Sequence, residues 1–287
     1  AKLQFVDNFF LKFYYKILKA FYIIRFILKN LNIFKYDCFL HETSNQINST
    51  IIVRLISKYF NKKLFIYHHG HSLNQISYKS TKVKTNEKDI FLCFSNLNVQ
   101  WAKSLGFKNI VVIGFPAFYK NWNKFLNNYL SKNKKNQLSE PNVIIFSRKP
   151  NHDYYMDIDK YKSLIISSYR SIRKYMPNIK IFIKLHPREV GYSEIILNEI
   201  FKKNKFKNIA ITSEDTNILI KESLFTISLW SSTILLSLAQ NKPSIEYYLE
   251  AKKFRLAEPL GSLYKYHGID SANNDKELDD FIHKVKN

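Results

Sequence analysis

Apolar positions along this chain come in short runs whose period keeps changing. The first, "FFLKFYYKILKAFYIIRFILKN" (9–30), spaces Lys12, Lys16, Lys19 and Arg25 among aromatic and aliphatic residues. That spacing predicts a helix with a basic edge, either packed on a core or lying on an anionic membrane. From residue 33 the pattern alternates. "IFKYDCFLHE" predicts a strand, "SNQINSTIIVRLISKYF" a helix capped by Ser or Asn, and "KKLFIYHHG" a strand. A polar loop, "HSLNQISYKSTKVKTNEK", leads to strand "DIFLCFS", short helix "NVQWAKSLGF" and strand "NIVVIGFP". Short apolar strands between helices predict a parallel sheet covered on both faces.

The alternation breaks at "YKNWNKFLNNYLSKNKKNQLSEPN" (119–142), which is polar and lysine-rich and reads as a linker. It then resumes. "NVIIFSRKP", "NIKIFIKLHP", "NIAITS", "LFTISLW" and "KPSIEYY" predict strands. "DKYKSLIISSYRSIRKY", "SEIILNEIFKK", "EDTNILIKES" and "SSTILLSLAQ" predict the helices between them, and "DKELDDFIHKVKN" a terminal helix. The economical reading is an α/β protein of two doubly wound, Rossmann-like domains facing a central cleft. The expected boundaries are 1–140 and 141–287, with the linker at about 119–142.

Composition narrows the function. The chain has 287 residues with 46% hydrophobic positions, enough for real cores. Lys and Arg number 45 against 23 acids, a net charge of +22. That balance points to an anionic partner: a phosphorylated substrate, an anionic membrane or a nucleic acid. Lys outnumbers Arg by 38 to 7 and no nucleic-acid motif occurs, so no nucleic acid is expected. No apolar stretch reaches membrane-spanning length, which leads to the expectation of a cytoplasmic protein, peripheral on the inner membrane face. The chain begins at Ala1 and runs straight into a helical pattern, which suggests a trimmed terminus or a missing first strand. Cys38 and Cys93 stand in apolar strands and read as reduced core residues. No zinc spacing occurs and no Asp-x-Asp pair stands at a strand end, so metal-independent, cofactor-free chemistry is expected.

The polar residues at strand ends carry the chemistry. In "KIFIKLHPREVGYSE" the strand must stop near His186-Pro187, because Pro187 cannot donate to a sheet ladder. An imidazole then sits at a carboxyl edge, where open α/β sheets bind ligands, flanked by Lys184, Pro187 and Arg188. In "SLWSSTILLSLAQNKPSI" a strand meets a helix start at Ser231, Ser232 and Thr233. Hydroxyls and helix-start N–H groups there favour an anion, though plain capping also explains the serines. Taken with His186 in the preceding α/β unit, they predict a phosphate site. Ser147 and Arg148 in "FSRKP" offer donors to a phosphate or carboxylate. Thr212 and Glu214, after another strand, suit a nucleobase or ribose. In the first half, "YHHGHS" places His69 and His71 on one face of an extended segment, fit to take a proton from an acceptor hydroxyl. Zinc binding and structural loop histidines are the alternatives. Glu42 in "FLHETSN" is the carboxylate candidate, as base or as orienter of a histidine.

A His-Pro after a strand, followed 45 residues later by a Ser-Ser-Thr helix start, resembles the GT-B glycosyltransferases that use CMP-activated sugars. These include bacterial sialyl-, polysialyl- and Kdo transferases of capsule and lipopolysaccharide biosynthesis. The likeness spans residues 140 to 250. It implies a GT-B-like fold, a CMP-sugar donor and a surface-polysaccharide or lipid-linked glycan acceptor. It also implies that His186 and Ser231-Ser232 contact the nucleotide phosphate. CDP-glycerol and CDP-ribitol phosphotransferases carry a similar His-Pro and form the alternative; a non-enzymatic basic nucleic-acid- or membrane-binding module is the second alternative. The pair of acids followed by Gly that supplies the sialyltransferase base does not occur in this sequence.

Overall fold

The computed structural model describes residues 14, 21, 25, 35–43, 57–68, 87–132, 140–148, 150, 156–189, 191–229, 231–248 and 269–286. The chain divides into two compact units, with the break between Val112 and Ile113.

The first unit carries β1 (Cys38–Thr43), β2 (Lys63–His68), β3 (Asp89–Cys93), helix α1 (Leu97–Ser104) and β4 (Asn109–Val112). The four strands form one parallel sheet in the order β1-β2-β3-β4. Alternate residues Leu64, Ile66, Phe91 and Cys93 bury one face against Ala102, Leu105 and Phe107, the period-2 pattern that a strand requires. The two cysteines part company. Cys93 is buried, and burial pushes its thiol up to about 11, whereas Cys38 is exposed at the start of β1 and is no core residue. An apolar neighbourhood in sequence did not place it inside, because it stands at the end of its strand.

The stretch read as a linker is mostly helix. A 3-10 turn at Pro116–Phe118 leads into α2 (Lys120–Lys132). Leu126 and Leu130 lie one turn apart and are its buried residues, a narrow apolar stripe that interleaved Asn and Lys obscure in the sequence. Of the amino-terminal run 9–30, Tyr14, Phe21 and Arg25 are helical and exposed, and its other positions lie outside the described residues.

The second unit continues with β5 (Asn142–Phe146), α3 (Ile158–Tyr175), β6 (Lys180–Lys184), α4 (Tyr192–Lys203), β7 (Ile209–Thr212), α5 (Thr216–Glu222), β8 (Ser223–Ser228), α6 (Thr233–Ala239), β9 (Ser244–Tyr247), β10 (Asp270–Ala272) and α7 (Asp275–Lys286). All six strands are parallel, in the order β10-β9-β8-β5-β6-β7. Chain order therefore runs outward from β5 to β7 on one side, then outward from β8 to β10 on the other. This is the arrangement of a doubly wound sheet, and its direction reverses between β5 and β8.

Both faces of this sheet are covered, as the unbroken Val-Ile-Ile-Phe run of β5 requires. Val143 and Ile145 pack with Ile181, Ile183, Leu164 and Phe281 on one side. Ile144 and Phe146 pack with Phe182, Leu219 and Ile220 on the other. Asp157 caps α3 by accepting from the Lys160 N–H at 2.8 Å, and that bond holds its carboxyl below the usual range.

Candidate functional site

The strand order reverses between β5 and β8, and polar residues follow the strands along this carboxyl edge of the second sheet. Across the strands β8, β5, β6 and β7, the following turns hold Ser231, Ser147, His186 and Glu214. The edge is continuous. Ser147 N donates to Lys184 O at 3.0 Å, and Leu229 N donates to Phe146 O at 3.0 Å.

The turn after β6 is anchored from beneath. Leu185 is buried, His186 and Pro187 are exposed, and Pro187–Glu189 forms a 3-10 turn closed by Glu189 N donating to His186 O at 2.8 Å. Glu189 is only 2% exposed, and its Oε2 accepts from Ser147 Oγ at 3.3 Å. Ser147 Oγ also lies 2.8 Å from the Tyr161 hydroxyl. A serine has one proton to give. With that proton on Glu189, Tyr161 donates to Ser147, and the chain Tyr161–Ser147–Glu189 is satisfied end to end. Burial pushes the Tyr161 hydroxyl far above its ordinary value, Glu189 adds to the shift, and the Ser147 bond opposes it. Gly191, with φ of 94°, makes the left-handed turn into α4 that a side chain resists.

Lys184 spans to the next turn, its Nζ donating to Ser213 O at 2.8 Å. Burial pushes its amine down, against the pull of Asp215 and Glu214. Thr212 Oγ1 accepts from Glu214 N at 3.2 Å, and Glu214 Oε1 accepts from Asp215 N at 3.0 Å. Asp215 in turn caps α5.

The turn after β8 is bonded to itself. Ser228 Oγ accepts from Ser231 N at 3.0 Å and donates to Ser231 O at 2.9 Å. Ser231 Oγ accepts from Thr233 N at 3.4 Å and from Thr233 Oγ1 at 3.0 Å. Ile234 N and Leu235 N donate to Ser231 O and Ser232 O. The N–H groups expected to be open at this helix start are therefore largely engaged, and α6 is only seven residues long. Ser232 makes no side-chain capping bond.

The structure thus brings Ser147, Arg148, Lys184, His186, Pro187, Thr212, Glu214, Ser231, Ser232 and Thr233 to one edge of one sheet. The backbone of Arg188 lies there too, on the 3-10 turn. Sequence reasoning missed Glu189 and Tyr161, which support the edge, and Glu246, 2% exposed and opposite Ser228 in β9. Nothing in the "HPRE" spacing separates a buried Glu189 from its neighbouring charge. In the first unit Glu42 lies in β1 opposite Tyr67 of β2, while His69 and His71 lie outside the described residues. Among the described residues, no three His, Cys, Asp or Glu side chains gather as a metal site, and no helix is long and apolar enough to cross a membrane.

No protein-family model matches the chain, and no curated protein matches it in sequence. Solved structures do match. UDP-GlcNAc 2-epimerase from Methanocaldococcus jannaschii superposes with a TM-score of 0.61 at 12% identity, over 94% of this chain and 73% of that one. A putative UDP-N-acetylglucosamine 2-epimerase from Listeria monocytogenes gives 0.57 at 12% identity, over 92% and 69%. A histidine-to-asparagine variant of the wall teichoic acid polymerase TagF gives 0.51 at 14% identity, over 87% of this chain and 65% of TagF. At such identities the likeness concerns the fold: the chain is an α/β protein of GT-B-like architecture, built on two Rossmann-like parallel sheets.

Proposed function

We propose that this chain is a glycosyltransferase that moves a sialic-acid- or Kdo-like sugar from a CMP-activated donor to a surface-polysaccharide or lipid-linked glycan. The observation that supports the reading is that Ser231, Ser147, His186 and Glu214 follow successive strands along the one carboxyl edge that includes the strand-order reversal of the second sheet, where nucleotides bind in sheets of this kind. Ser231 and Ser232 donate to the donor phosphate, Arg148 offsets its charge, and Thr212 and Glu214 hold the ribose or base.

The chemistry follows from what the leaving group needs. As the bond from the anomeric carbon to the phosphate oxygen breaks, its electron pair stays on that oxygen and CMP departs. An imidazole N–H from His186 stabilises the charge as it develops, so its contribution grows toward the transition state. The acceptor hydroxyl gives its proton to a base from the first unit, for which Glu42, His69 and His71 are the candidates. No metal or cofactor is assigned to the step.

A second reading is a CDP-glycerol or CDP-ribitol phosphotransferase, favoured by the fold likeness to TagF. It uses the same edge, because CMP is again the leaving group, but the bond that breaks is the one from the polyol-bearing phosphorus to the bridging anhydride oxygen, which leaves with CMP. Nucleotide release from a donor panel, CMP from the cytidine donors and UDP from UDP-GlcNAc, separates the two. CMP-sialic acid, CMP-Kdo, CDP-glycerol and UDP-GlcNAc are offered in turn. Release from a CMP-sugar supports the main reading, and release from CDP-glycerol alone supports the second. No release together with no binding of CMP overturns both.

A further inference from the structure

Packed against α6, the second unit carries a surface to which the proposed transfer assigns no residue. Phe118, Tyr119, Trp122, Phe125 and Tyr129 are each between 42% and 58% exposed, within twelve consecutive residues. Trp122, Phe125 and Tyr129 follow a spacing of three and four and form one stripe along α2, next to the buried Leu126 and Leu130. Trp122 and Phe125 lie ring to ring at 5.7 Å. The stripe is firmly mounted, because Phe115, just before the 3-10 turn, packs against Ile234 and Leu235 of α6. Lys120, Lys124 and Lys132 on the same helix are exposed. From Ile90 to Leu138 and on to Ser139 the sequence holds seven lysines and no acid.

We infer that this aromatic, lysine-flanked face of α2 and its leading turn seats the second unit on an anionic membrane surface. Aromatic rings at this density, beside cations and without a carboxylate, match the headgroup boundary of a bilayer, where rings enter and lysine stems reach the lipid phosphates. A neutral glycan fits less well. The groove among these rings, about 770 Å³, has Lys120, Asn121, the Tyr119 hydroxyl and the Trp122 indole N–H as its polar groups, and among the described residues no carboxylate lines it to hydrogen-bond sugar hydroxyls. The inference stands apart from donor identity and from residues 9–30, and either can fail without it.

The test is co-sedimentation of the full chain with vesicles of phosphatidylcholine alone and of phosphatidylcholine with phosphatidylglycerol. Trp122→Ser/Phe125→Ser is expected to weaken binding to the anionic vesicles by about tenfold or more. Lys120→Glu/Lys124→Glu/Lys132→Glu is expected to weaken it by about 100-fold, and added salt to weaken the wild type. Both variants alter exposed side chains, and their melting temperatures should match the wild type. Lys12→Glu/Lys16→Glu/Lys19→Glu is the parallel control for the amino-terminal run. Wild-type binding by both α2 variants overturns the inference, whatever that control does. So does equal, salt-insensitive binding to neutral vesicles. Binding of a soluble acidic glycan that the aromatic variant loses, with no vesicle binding, reassigns the face to a glycan and also overturns it.

Discussion

Two turns at the edge of the second sheet, on either side of β5, present polar groups in opposite ways. After β6, the support lies underneath: Glu189, Ser147 and Tyr161 form a buried hydrogen-bonded chain, and the His186 ring stands exposed above it. After β8, support and display are the same atoms. Ser228, Ser231 and Thr233 bond one another, and the Ser232 side chain makes no capping bond. The contrast assigns labour. A group mounted on a buried scaffold can respond to charge developing on a ligand without reorganising, which is what preorganised catalysis needs. A turn whose hydroxyls hold its own shape is chiefly a rigid wall.

The comparison can be broken most severely at His186. His186→Ala should lower kcat for CMP release by roughly 100- to 1,000-fold, about 2.7–4 kcal/mol. Its melting temperature should stay near wild type, because the ring is exposed. Near-normal turnover in a folded variant would make the histidine structural and remove the distinction between the turns.

Next comes the scaffold. Glu189→Ala strands the Ser147 hydroxyl beneath the turn, and leaving a buried donor unsatisfied costs about 1–3 kcal/mol. Thermal unfolding should register that loss, and Glu189→Gln, which keeps an acceptor of the same shape, should recover most of it. An unchanged melt for Glu189→Ala would mean that the buried chain does not support the turn.

The smallest effects lie on the β8 turn, and there the two serines should separate. Ser231→Ala removes the acceptor for two Thr233 donors and should cost about 0.5–2 kcal/mol of stability, as loss of a cap does. Ser232→Ala should stay within about 0.5 kcal/mol in stability. It should weaken CMP binding by roughly tenfold or less, the worth of one neutral hydrogen bond. The reverse ranking in the melts would contradict the bonding described for this turn.

How much of this was readable beforehand differs by element. The β5 and β6 strands were legible because a run such as Val-Ile-Ile-Phe has few other homes, and Pro187 marks its neighbour's end without ambiguity. β10 was not, since Asp-Ser-Ala carries no apolar signature and pairs only because β9 lies beside it. α2 reads as a linker in the sequence because two buried leucines among thirteen residues are a faint periodicity. At the edge, His186 and Ser231 announced themselves through the strand ends. Glu189 and Tyr161 did not, because their partner Ser147 lies 42 and 14 positions away: the β5–β6 pairing brings Glu189 to it, and the packing of α3 on the sheet brings Tyr161.

The central claim is that a cytidine nucleotide sits on this edge of the second sheet. Hydrogen–deuterium exchange of the full chain with and without CMP tests it most directly. The account expects slower exchange in the peptides covering the turns after β5, β6, β7 and β8, with β1 to β4 unchanged. Protection confined to the first unit, or none at a CMP concentration that saturates binding, would contradict it.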